Sequence, residues 1–191
     1  AANNPIALLK NKHVLNILLL TLLGVTAHYG AYTYITLLVQ RLALPGGIEV
    51  ALLLFGVGSF TSVMAAMKFT DSALRMFTAT MFGLGFVSLG LIYLEPGVAA
   101  IYYVALFVWG IAFGPLVTML QAAVARQSTS AKAIATSVQS SMFNFSIMLA
   151  TSVGGYLLTR ADIMAVVLLS TVLLLVATVI SFVSKATFAE D

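Results

Sequence analysis

Residues 163–184 read IMAVVLLSTVLLLVATVISFVS, twenty-two residues without a charge between Asp162 and Lys185. A helix rises about 1.5 Å per residue, so this stretch can cross the roughly 30 Å hydrocarbon core of a bilayer. Val166–Leu169 is continuously apolar, whereas a membrane barrel strand alternates its faces. The stretch predicts a transmembrane helix. Outward from it the pattern repeats. Charge-free gaps cover residues 13–40, 50–67, 76–94, 96–125 and 133–159. Each holds one span, and spans are expected over 14–40, 49–68, 74–94, 98–126, 131–159 and 162–185. Residues 1–13 then lead into a bundle over 14–185, and 186–191 form a C-terminal tail.

Composition agrees. Hydrophobic residues make up 61% of the 191 and charged residues 8%, against about 45–50% and 25% in soluble proteins. Nine Lys and Arg with six Asp and Glu cannot solvate a compact surface of this size. A soluble enzyme, a nucleic-acid binder and a disordered segment are excluded. With no Cys, thiolate metal sites, disulfides and Cys nucleophiles are excluded too. The fold class is all-α and integral to the membrane, with six spanning helices.

The connections are short. Pro45-Gly46-Gly47 and Glu95-Pro96-Gly97 break the chain after the first and third spans. In the polar turn Gln127–Ser130, Ser128 or Ser130 is placed to cap the fifth helix. Such connections predict antiparallel neighbours. The N-terminus lacks a signal-peptide pattern, and Ala1–Asn4 reads as a cut edge or a processed start. Lys10, Lys12, Lys68, Arg75, Arg126, Lys132 and Lys185 fall on one side, and only Arg41 and Arg160 on the other. The positive-inside rule then puts both termini in the cytoplasm.

Split at residue 97, the chain reads as three spans followed by three. An odd count inverts the second group, giving a 3+3 inverted repeat. The first and fourth spans are long and carry polar or Gly/Pro interruptions. Transporters use this plan, with the solute near the midplane.

No span has a carboxylate, Lys or Arg near its centre; His28 is the one titratable imidazole there. Polar groups at that depth are functional candidates by default. His28 and Tyr32 lie four apart on one helix face. His28 reads either as a ligand or proton-relay group or as a neutral ring bonded to a neighbouring helix. No second His or acid at metal-ligand spacing accompanies it, so neither a metal nor another cofactor is expected. Gly110-Ile-Ala-Phe-Gly114-Pro115 reads foremost as a close helix contact, with a hinge at Pro115 compatible. Gln121 follows. The fifth span carries a polar stripe of Ser137, Ser140, Ser141 and Asn144. Asn144 needs a partner or a solute. Gly56-Val-Gly58 lies within a span and lacks Gly-Lys-Ser/Thr, so it is no phosphate loop. With no acid in any span, a membrane enzyme is the weaker class. His28, Tyr32, Gln121 and Asn144 are the candidate solute-binding residues.

Val25-Thr-Ala-His-Tyr-Gly-Ala-Tyr-Thr-Tyr34 followed by Val39-Gln40 resembles the seventh transmembrane helix of the sugar efflux transporters, in the drug:proton antiporter branch of the major facilitator superfamily. Ala51–Gly56 resembles their eighth helix, Val108-Trp-Gly-Ile-Ala112 their tenth, and Met142-Phe-Asn144 with Gly154-Gly155 their eleventh. Pro5–Val14 resembles the end of their central cytoplasmic loop. Purine nucleoside efflux carriers share the eighth and tenth patterns. In the loop after the eighth helix Asp71 and Arg75 are kept, but a usual Gly is not.

The resemblance implies the C-terminal half of a carrier in a bacterial inner membrane. It implies proton-coupled efflux of a sugar, nucleoside or drug, with an N-terminal six-helix half or a second copy as partner. The third and sixth spans are expected to face lipid. The rival readings are a six-span homodimeric carrier and a membrane assembly protein without transport.

Overall fold

The computed structural model describes residues 4–189, and all regular structure among them is helical. A short α1 (Pro5–Leu8) leads to α2 (Lys12–Tyr32) and α3 (Ile35–Arg41), which together make the first span. The second is α4 (Gly47–Ser72) and the third α5 (Leu74–Tyr93). α6 (Ala99–Phe113) and α7 (Leu116–Gln127) form the fourth, α8 (Lys132–Arg160) the fifth and α9 (Ile163–Val183) the sixth. Six segments are thus long and apolar enough to cross a membrane. The chain is a multi-pass, all-α membrane protein. Of the expected edges, Ala1–Asn3 and Glu190–Asp191 lie outside the described residues.

Three local expectations need correction. The first span starts at Lys12, because the Asn11 side chain accepts from the backbone N–H of His13 at 2.9 Å and caps the helix there. The fifth helix is preceded by Ala131 and has no side-chain cap; Ser128 lies three residues too early and is buried. Residues 186–188 form a 3-10 turn that buries Thr187 and Phe188 against α2 and α7. The bundle therefore continues past residue 185.

Sequence neighbours are antiparallel but mostly not packing partners. The first span packs on the fifth and sixth, the fourth on the second and third, and the third on the sixth. Exchanging first with fourth, second with fifth and third with sixth maps this set onto itself, as a 3+3 inverted repeat requires. Small residues choose the partners. A Cβ added at Gly58 would fall on the Phe107 carbonyl oxygen, and one at Gly110 on the Phe55 carbonyl oxygen. One at Gly114 would lie 2.6 Å from the Ser59 carbonyl oxygen. The α4 and α6 backbones touch directly, and the Ser59 hydroxyl donates across the contact to the Gly110 carbonyl at 3.1 Å. The contact reading of Gly110 and Gly114 is the observed one.

The third and sixth spans bury one face on each other and present apolar side chains outward, Val87 and Leu91 on α5, Val172 and Val179 on α9. They are not the least covered helices. The second and fifth are, the fifth most of all.

Each end of the bundle is tied. At one, Arg41 is bidentate to Glu95 at 3.1 Å and bonds Asp162 at 3.0 Å, joining three connections. At the other, Arg126 donates to the carbonyls of Thr70, Asp71 and Phe188, and Gln127 to those of Ala186 and Thr187. Asn16 donates to Ser184 and Thr187. Arg75, in the first turn of α5, donates to the Phe182 carbonyl.

The α4–α6 contact has little room to give. Gly110→Ala should lower stability by about 1–3 kcal/mol or more through overpacking. Gly56→Ala, where a Cβ meets nothing within 4 Å, should be neutral or stabilise by up to about 1 kcal/mol through helix propensity. Thermal unfolding of the two purified variants in one detergent checks the ordering.

Candidate functional site

Both interrupted spans bend at a defined place. In the fourth, Pro115 lacks an N–H, so it cannot bond the Ile111 carbonyl one turn back, and α6 ends at Phe113. In the first, no Pro or Gly marks the break at Thr33–Tyr34. Tyr34 leaves helical geometry, with ψ at 24°, and its ring lies on α8. A Cβ on Gly154 would meet the Tyr34 ring at 2.7 Å, and the Tyr34 hydroxyl donates to the Thr151 carbonyl at 2.8 Å. The Gly154-Gly155 pair is the seat of that ring.

One turn before the break, His28 is enclosed by aromatic rings. Phe113 stacks on it at 4.5 Å between centroids and Phe55 at 5.7 Å. Tyr29 stands at 4.8 Å, Tyr32 at 5.2 Å and Trp109 at 5.7 Å. The rings come from α2, α4 and α6, so the cluster sits where both broken spans and the second span meet. His28 is buried, and among the described residues neither its Nδ1 nor Trp109 Nε1 has a hydrogen-bond partner. The alternative reading of His28 is a neutral ring bonded to a neighbouring helix; among the described residues its Nδ1 makes no such bond, and the ring is held by aromatic contacts.

A second feature lies between α7 and α8. A cavity of about 180 Å³ is lined by Val117, Gln121, Gln139, Ser140, Phe143 and Asn144. Three carboxamides and a hydroxyl meet there around one aromatic ring, with no charged side chain in the wall. The side chains of Gln121 and Asn144 make no hydrogen bond among the described residues. Asn144, Ser141 and Ser137 are exposed. The polar stripe of the fifth span thus faces away from the six-helix bundle, while Gln139, Ser146 and Gly154 on the same helix face α2 and are buried.

The four sequence candidates therefore fall into two pairs. Gln121 and Asn144 share the cavity. His28 and Tyr32 share the aromatic cluster and do not line that cavity. Phe143 joins the two, lining the cavity with its ring 6.0 Å from that of Tyr29. Gln139 was not singled out by sequence reasoning. Its spacing of five from Asn144 puts it well round the helix from the stripe, so its buried position was a signal only against a known inner face. No group of three His, Asp or Glu that could hold a metal occurs among the described residues. No protein-family model matches the sequence, and no curated protein matches it.

Because Nδ1 has no partner to lose, His28→Phe should keep stability within about 1 kcal/mol of the parent, or raise it by removing an unsatisfied buried group. Tyr34→Phe loses a made hydrogen bond and should cost about 0.5–1.5 kcal/mol. Thermal unfolding of both variants decides. A loss of several kcal/mol in His28→Phe would show that the imidazole has a structural partner.

Proposed function

We propose that this chain is half of a secondary transporter of the major facilitator type, moving a small polar solute by alternating access. One observation carries the reading. In mid-span, the fifth helix turns Asn144 outward, on a stripe with Ser137 and Ser141, beside a cavity that also holds Gln121 and Gln139. Ser137 and Ser141 spend their protons on carbonyls one turn back, but the Asn144 carboxamide has no partner among the described residues, and such a group at that depth is costly against lipid and belongs against water, solute or another protein. A further six helices, from an N-terminal half or a second copy, would close this face into a central path. The inverted repeat and the pairing of two interrupted spans support it, since transporters of this plan place the solute at such helices.

The finer reading is proton-coupled efflux of a sugar, nucleoside or drug across a bacterial inner membrane, both termini cytoplasmic. The resemblance of Val25–Tyr34 to sugar efflux transporters supports it. The seven cations against two support the orientation. The role proposed is a carrier, not an enzyme.

The chain has no Cys, which suits single-Cys tests in the full-length protein. Thr129→Cys should react with an impermeant maleimide only from the cytoplasm, and Pro96→Cys only from outside; the reverse pattern would overturn the orientation. For the solute path, Asn144→Ala and Gln121→Ala, both in the cavity wall, should weaken solute binding by about 0.5–1.5 kcal/mol each while folding stays nearly intact. Reduced stability with unchanged affinity in both would make them helix contacts instead.

A further inference from the structure

Gln139 is only 2% exposed, yet it lines the cavity. Its Nε2 donates to Thr21 Oγ1 at 2.6 Å. Thr21, fully buried on α2, spends its own proton on the Ile17 carbonyl at 2.8 Å. A hydroxyl with its proton so used can only accept. Thr21 therefore fixes which way the Gln139 amide is turned: nitrogen to α2, oxygen away. That oxygen, Oε1, meets no donor among the described residues. A buried carbonyl oxygen without a donor is costly unless something supplies one. The cavity that Gln139 lines has a neutral wall, with Gln121, Ser140 and Asn144 as further polar groups and Phe143 as an apolar face. An anion would meet the carbonyl dipole with no cation to offset it. A cation would find no carboxylate, because none lies in mid-span.

We propose that Gln139, held by Thr21, is a specificity-determining acceptor that selects neutral solutes presenting an N–H or O–H donor. The proposal rests on the solute-path reading of this cavity. Gln139 touches the solute; Thr21 is a positioning residue that acts through it. Sites built to pair a solute donor reject the analogue lacking it, because the buried acceptor is then left empty-handed.

The test uses the full-length protein in nanodiscs with Val117→Cys as a reporter in the cavity wall, read by protection from maleimide labelling. Two probe pairs separate the donor sources: inosine against 1-methylinosine for N–H, and a methyl hexoside against its monodeoxy analogues for O–H. In the reporter background, the donor-bearing member of one pair should protect at roughly tenfold lower concentration, at the upper end of one hydrogen bond. Gln139→Met should shrink that ratio to about twofold or less. Thr21→Val should shrink it too, and Thr21→Ser, which keeps the acceptor oxygen, should restore it; this arm stands if Gln139→Met does not fold.

A tenfold ratio that survives in Gln139→Met or in Thr21→Val overturns the proposal and places the acceptor elsewhere. Protection without discrimination in either pair also overturns it and leaves the solute path standing. No protection by any probe removes both.

Discussion

In hydrocarbon nothing apolar in the solvent drives one helix onto another, so close packing and hydrogen bonds must do it. Here the tightest packing is backbone on backbone, where Gly58 of α4 lies against α6 and Gly110 and Gly114 of the fourth span lie against α4. With no side chain between them, the second and fourth spans are locked at a fixed separation. The related pair, first and fifth, meets where Gly154 faces the Gly30 carbonyl and the Tyr34 ring. These two contacts fix which faces remain uncovered. The second and fifth spans each give one edge to a close partner and leave the rest outside. The outward placement of Asn144 is a consequence of Gly154 being inward.

The same contacts explain why two interrupted spans are tolerated. A break frees peptide groups, which is costly at membrane depth unless neighbours cover them. Pro115 sits directly after Gly114, itself pressed on Ser59 and Ser62. Tyr34 is clamped between Gly154 and the Thr151 carbonyl. Each break therefore lies at a close contact of its own span, and the aromatic cluster around His28 lies between them. Phe113, the last residue of α6, and Phe55, the residue whose carbonyl touches Gly110, are the two rings stacked on the imidazole.

What the sequence made legible follows from cost. Charges are excluded from hydrocarbon, so their gaps reported six spans closely. Pro115 announced its break because a missing N–H is a property of the residue itself. The Thr33–Tyr34 break was silent, since it is made by a tertiary contact with α8. Packing partners were silent for the same reason: loop length limits only where helix ends lie, while facing glycines decide which helices touch. At the site, the stripe of Ser137, Ser141 and Asn144 was readable from its period, but its direction was not. Direction depends on which side of α8 meets α2, and Gln139 became visible only through that.

The two ends of the bundle are held by different physics. At one, the Arg41 network with Glu95 and Asp162 is exposed, and exposed ion pairs are weak and screened by salt. At the other, Arg126 and Gln127 donate to backbone carbonyls beside a tail whose Thr187 and Phe188 are buried. Charge-assisted bonds to carbonyls that would otherwise lack donors are stronger and less easily exchanged for water. Under the proposed alternating access this bundle would move as one body while its ends alternately open. The tail end then behaves as the rigid base, joining the second, fourth and sixth spans through Thr70, Arg126, Gln127 and the tail. The Arg41 end, joined by side chains that water can replace, is where spans can shift relative to one another. That asymmetry arises within one six-helix bundle whose helix packing is otherwise symmetric.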